Sequence, residues 1–95
     1  MGLLDSLKRK KVITPEERRQ GLLAHGRITD GVILDTQIND NGDEVAMYLY
    51  TLNGVDFESA DILTEAQRAD QARYAPGAKV AIRYDPKNQG NSIIE

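Results

Sequence analysis

The chain has no cysteine, one histidine and no long hydrophobic run. Without cysteine it can form neither disulfides nor thiolate metal sites, which fits a reducing compartment. No stretch of about 18 apolar residues is present to cross a bilayer as a helix. Nor is there a short apolar segment leading to a small-residue cleavage site, so no secretory signal is visible. These absences make the cytoplasm the expected location. Catalysis needs a base, a nucleophile or a metal held in mutual reach, and here the acids are spread singly along the chain. The expectation is a protein that is not an enzyme, with no catalytic residues, no cofactor and no metal.

What is present is one small domain's worth of sequence: 95 residues, 40% of them hydrophobic. The net charge of −3 hides an asymmetry. Residues 1–27 carry seven basic against three acidic residues, a net +4, and residues 28–95 carry five against twelve, a net −7. A basic arm therefore precedes an acidic body, and the anionic surface such an asymmetry suits is a partner for the arm. Within the arm, Leu3, Leu4 and Leu7 lie on one side of a helix and Lys8, Arg9, Lys10 and Lys11 follow directly. That pattern fits a peripheral membrane foot, leucines in the interface and cations on anionic lipid; the alternative is a solvated tail. Gly2 with Ser6 also fits the short N-myristoylation pattern.

Thr14-Pro15-Glu16-Glu17 is a helix start, with Thr14 as cap, Pro15 in the first position and Glu17 three residues on to complete a capping box. The helix is expected to end at Gly26 as a C′ glycine, leaving His25 as a dipole partner at its C-terminus rather than a catalytic group. Ile28 to Ile38 reads as the first strand, with Gly31 as a bend or bulge. Asn39-Asp40-Asn41-Gly42-Asp43 resembles a calcium loop but places Gln37 and Tyr48 where an EF-hand needs Asp and Glu, so it reads as a hairpin loop. Glu44 to Leu52 and Val55 to Leu63 are strands joined by Asn53-Gly54, a type I′ signal that fixes the register from Leu52 opposite Val55 onward. Tyr48, Tyr50 and Phe57 share the buried face near the turn. Farther along, the apolar content shifts to the face of Val45, Met47 and Ile62, as in a strand that bends round a small barrel.

Thr64 and Gln67 form a second capping-box pattern, opening a short helix to about Arg73. Pro76-Gly77 suits a type II turn, and Val80, Ile82 and Tyr84 then alternate through a strand that Asp85-Pro86 ends, with the Asp85 carboxylate placed to accept loop N–H groups. A polar loop from Lys87 to Asn91 leads to a last strand, Ser92 to Glu95. The order is that of a mainly β (α+β) domain: a small five-stranded antiparallel, OB-like barrel, with a short helix between strands 3 and 4 and an N-terminal helix. An open five-stranded sheet is the competing arrangement. The boundary falls between residues 1–26, arm and helix, and residues 27–95, the barrel.

Leu22-Leu23-Ala24-His25-Gly26, Gly31-Val32-Ile33-Leu34, and Pro76-Gly77 followed by Val80-Ala81-Ile82-Arg83-Tyr84-Asp85-Pro86 resemble a bacterial family of small β domains of unknown function. The likeness covers roughly residues 20–95. It implies a closing Pro-Gly, Val-x-Val-x-Tyr-Asp-Pro strand and no catalytic residues. Many relatives are membrane-attached through a transmembrane helix; this sequence shows none. The resulting expectation is a non-catalytic interaction module that binds a protein or peptide, with an anionic membrane surface as the arm's partner and homodimerisation through an edge strand as a further option. Single-stranded nucleic acid or a small ligand is the alternative partner of an OB-like barrel. The body's charge opposes nucleic acid, and the tyrosines fall on the core face.

Overall fold

A computed structural model describes residues 14–95; the membrane-foot residues Leu3, Leu4, Leu7 and Lys8 to Lys11 lie outside the described residues. Helix α1 spans Pro15–His25. Its capping box forms as the sequence predicts: the Thr14 hydroxyl accepts from the Glu17 N–H and the Glu17 carboxylate accepts from the Thr14 N–H, both at 3.1 Å. Gly26 ends it in a different way from the one expected. Its φ is −76°, so no left-handed cap forms. Glycine is needed there for space, because a Cβ would stand 2.5 Å from the Leu22 carbonyl oxygen and 3.0 Å from that of Tyr84.

Five strands follow: β1 (Arg27–Ile38), β2 (Glu44–Leu52), β3 (Val55–Ile62), β4 (Lys79–Asp85) and β5 (Asn88–Ile94). The β2–β3 register matches the expected pairing from Leu52↔Val55 to Val45↔Ile62, with Asn53 at φ 52° and Gly54 at φ 79° as the turn requires. Between β1 and β2, the Asn39 side chain accepts from the N–H groups of Asn41 and Asp43 at 3.0 and 2.9 Å. The loop is thus held by local Asx bonds.

All strand pairs are antiparallel, in the order β3-β2-β1-β4-β5. β1 is long because it pairs with β2 along its second half and with β4 along its first. The sheet curls so that the two edge strands meet at one end: the Ile94 N–H of β5 donates to Asp61 Oδ2 of β3 at 3.1 Å. The result is a nearly closed small β-barrel rather than an open sheet.

Several expectations are corrected. The bulge in β1 lies at Leu34, where the register to β2 shifts, and Gly31 is regularly paired with Tyr50 and Val80. Gly31 serves close packing, since a Cβ there would lie 2.7 Å from Ile82 Cγ1 and 2.9 Å from the Leu49 carbonyl. The helix after β3, α2, is only Glu65–Arg68; a 3₁₀ turn over Gln71–Tyr74 completes the connection. β5 starts at Asn88 rather than Ser92, because Asp85 pairs with Asn88 across a Pro86-Lys87 turn. Finally, the inner face of β2 does not switch. Ala46, Tyr48 and Tyr50 all point inward, at 0%, 0% and 2% exposure.

The core is Ile33, Ala46, Tyr48, Tyr50, Leu63, Tyr74, Val80, Ile82 and Ile94, with Leu52, Phe57, Ala78 and Tyr84 packed against it. Tyr50 stacks on Phe57 at 5.3 Å between ring centroids and on Tyr84 at 6.4 Å, so the aromatics form one internal row.

Candidate functional site

Two features are candidates for chemistry, a polar seam inside the barrel and a set of surfaces outside it. The seam runs where β3 and β5 approach without pairing. Asp61 faces inward there, and burial pushes its carboxyl above the ordinary carboxylate range, while the Ile94 N–H and the guanidiniums of Arg18 and Arg19 pull the other way. Arg18 of α1 donates to Asn91 Oδ1 at 2.8 Å and to the Ser92 carbonyl at 2.9 Å, and stands 3.9 Å from Asp61. Arg19 donates to the Ile94 carbonyl at 2.8 Å, and Gln67 of α2 does so at 3.0 Å. Tyr48 and Ser92 share a hydroxyl bond of 2.7 Å, and burial raises the Tyr48 phenol above its ordinary value.

Together these side chains satisfy the outward backbone groups of β5 that a sixth strand would otherwise take. Among the described residues no buried side-chain nitrogen or oxygen lacks a partner. The seam therefore closes the barrel, with its buried side-chain polar atoms hydrogen-bonded.

The grooves are shallow. A cleft of about 450 Å³ is bordered by Asp30, Lys79, Arg73 and Glu95, an intermingling of both signs that gives no single-signed field. A groove of about 330 Å³ lies between α1 and the β4–β5 turn and is bordered by Leu22, His25, Gly26, Asp85 and Pro86. His25 and Asp85 share it, but no hydrogen bond joins them. Asp85 accepts from the Lys87 N–H at 2.8 Å, the loop bond the sequence predicts, and His25 is exposed in the last turn of α1. Among the described residues no group of three or more His, Cys, Asp or Glu is placed to hold a metal ion.

The outer face of β1–β2–β3 is different. Because Ala46, Tyr48 and Tyr50 point inward, their neighbours Val45, Met47 and Leu49 point outward, opposite Ile62, Ala60 and Glu58 of β3. Val32 of β1 pairs with Leu49, Leu34 follows the inward Ile33 and is exposed, and the bulge brings Asp35 to the same outer side, opposite Met47. Gln37 Nε2 lies 3.6 Å from Met47 Sδ, tying the same face together. The result is a continuous outer row of Val45, Met47, Leu49, Val32, Ala60 and Ile62, half-buried or exposed, with Ile62 at 48% and Leu34 at 42%. The outward positions of β1–β3 from residue 30 on include Asp30, Asp35, Asp56 and Glu58 and no Lys or Arg, while Lys79 of β4 pairs with Val32 at the row's border and shares a cleft with Asp30. The sequence signal for this row is the shift of apolar content toward Val45, Met47 and Ile62, which periodicity alone reads as a change of core face.

A family model described as a domain of unknown function, DUF3592, matches residues 24–95. The chain belongs to the DUF3592 family. The match takes in the end of α1 and every strand, so the barrel is the DUF3592 domain and most of α1 precedes the matched span. No curated protein and no solved structure shows significant similarity to the chain. Among the described residues no helix is long and apolar enough to cross a membrane.

Proposed function

We propose that this DUF3592 domain is a non-catalytic interaction module whose outer β1–β2–β3 face receives a protein or peptide presenting apolar side chains beside Lys or Arg. The basic arm, Leu3, Leu4, Leu7 and Lys8 to Lys11, holds the module at the cytoplasmic side of an anionic membrane, with each cation near the surface contributing about 1 kcal/mol. One observation carries the reading: the barrel has a complete core and still leaves a second apolar row outside, flanked on β1–β3 by Asp35, Asp56 and Glu58, with Lys79 of β4 beside Val32 at its far border. Contiguous exposed apolar patches with polar rims are uncommon on monomers and are typical of contact surfaces.

The order β3-β2-β1-β4-β5 in a nearly closed five-stranded barrel is what supports the OB-like, single-stranded nucleic-acid alternative. Base stacking needs accessible rings, however, and Tyr48 and Tyr50 are sealed inside while Phe57 is packed on Tyr50. Pairing with a second copy through an edge strand is confined to β3, because Arg18, Arg19, Gln67 and Asp61 already occupy the edge of β5.

The test is capture of partners by the full chain and by its Met47→Lys/Ile62→Lys variant. Partners held by the native face and lost by the variant support the reading; capture that is identical for both contradicts it. Salt-sensitive pelleting with anionic vesicles, reduced when Lys8 to Lys11 are neutralised, is the expected behaviour of the arm.

A further inference from the structure

We propose that the N-terminal segment of the same chain is itself an occupant of the outer β1–β2–β3 face, its leucines on the Val45/Met47/Ile62 row and its cations on the acidic rim. This rests on the reading of that face as a contact surface, and goes beyond it by naming a ligand.

The chemistry of the two surfaces is complementary. The face offers Val45, Met47, Leu49 and Ile62 with Asp35, Asp56 and Glu58 around them, while residues 1–13 offer Leu3, Leu4 and Leu7 followed by four consecutive cations against a single acid, Asp5. Leucines at this spacing next to a basic run are the kind of partner an apolar row with a carboxylate rim selects. No cation on the outer positions of β1–β3 from residue 30 on competes for those carboxylates.

The geometry allows the contact within one chain. Arg18 follows Thr14 by one helical turn, its N–H bonded to the Thr14 carbonyl at 2.9 Å, and its guanidinium reaches to 3.9 Å from Asp61. The Arg18 side chain therefore links α1, which packs on β4 and β5, to the end of β3, where Asp61 faces in and Ile62 faces out. The outer row begins at that point. From Val45 to Leu49 it extends about 13 Å at the usual strand rise. Thirteen residues reach about 43 Å when extended and about 20 Å as a helix, so either form covers the row. The same leucines cannot lie on the barrel and in a membrane at once.

The absence of cysteine makes the test clean, since Ser6→Cys gives one site for a nitroxide label on the full chain. The quantity read is the ratio of amide intensities with the label oxidised and reduced, in ¹⁵N-labelled protein. The amides of Met47, Leu49, Ala60 and Ile62 should lose roughly half of their intensity or more, those of Ala81 and Arg83 should not, and changing Lys8 to Lys11 to serine should restore the first group. Unattenuated or evenly attenuated amides would overturn the proposal. So would attenuation that persists when the label is on ¹⁴N protein mixed with unlabelled ¹⁵N protein, because the occupant would then be the arm of a second copy. If the arm does not dock while Met47→Lys/Ile62→Lys still abolishes partner capture, this inference fails and the interaction reading stands. If capture is indifferent to that variant, the interaction reading fails first.

Discussion

The two faces of the β2–β3 hairpin carry nearly the same apolar content and have opposite fates. Inward are Ala46, Tyr48 and Tyr50; outward, one residue out of phase, are Val45, Met47 and Leu49. What separates them is the curl of the sheet. Once β5 comes round to Asp61, one face is enclosed by Ile33, Ile82 and Ile94 and the other is left on the convex side with none of the described residues packed over it. Apolar alternation thus says where a strand is, and barrel closure says which side of it is core. A second apolar face that the closed barrel does not use is the feature requiring a functional explanation.

The sharpest way to break the comparison is to truncate on each side of the same strand. Tyr48→Ala should cost about 3–5 kcal/mol, through the cavity and the lost hydroxyl bond to Ser92, whereas Leu49→Ala should cost about 1 kcal/mol or less. Urea midpoints for the two variants decide it; equal costs would mean the outer face is as integral as the inner. Next in size is Gly31→Ala, expected to lose about 1–3 kcal/mol in the same assay. The new methyl would collide with Ile82 Cγ1 and with the Leu49 carbonyl, which is backbone and cannot swing aside. An unchanged midpoint would show that β1 and β4 can part there at little cost.

Asp61 is the polar exception on the inner face and gives a smaller, pH-dependent effect. Asp61→Ala removes the acceptor of the Ile94 N–H and should cost about 1–3 kcal/mol, while Asp61→Asn keeps an acceptor. The sign with pH follows from the direction of the shift. Burial raises the carboxyl above its ordinary 3.8, so the folded chain binds this proton more tightly than the unfolded one. Its stabilising contribution is complete below pH 3.8 and is lost as pH rises through the folded value. Asp61→Asn should therefore gain on the native chain as pH rises through that window. A variant that instead loses ground would show the attraction of Arg18 and Arg19 outweighing desolvation.

The short-range part of this fold is written in short-range signals. Thr14 and Thr64 with their partners three residues on, Asn53-Gly54, Pro76-Gly77 and Asp85-Pro86 all form the caps and turns their chemistry predicts, and the turn then sets the whole β2–β3 register. What was not legible depends on residues far apart. Asn88 to Asn91 reads as loop because it is polar, yet it lies in strand β5: Asn88 pairs with Asp85, pairing resumes at Ser92 after a register shift, and Arg18 bonds Asn91 and the Ser92 carbonyl from more than seventy positions away. Arg18 and Arg19 look like solvated helix charges until β5 is placed beside them. The Leu34 bulge carries no glycine to announce it. The outer row was visible as apolar content, but its exposure follows from closure, which no local pattern encodes.

The central claim is that the outer row is held in reserve for contact and contributes little to the fold. The most direct measurement is the urea midpoint and amide spectrum of Met47→Lys/Ile62→Lys beside the native chain. Both positions face outward, so the account predicts a stability change within about 0.5 kcal/mol per site and dispersed amides that match the native spectrum away from the two substitutions. A loss of several kcal/mol, or spectral changes reaching Tyr48 and Ile82, would contradict it by showing that this face belongs to the core.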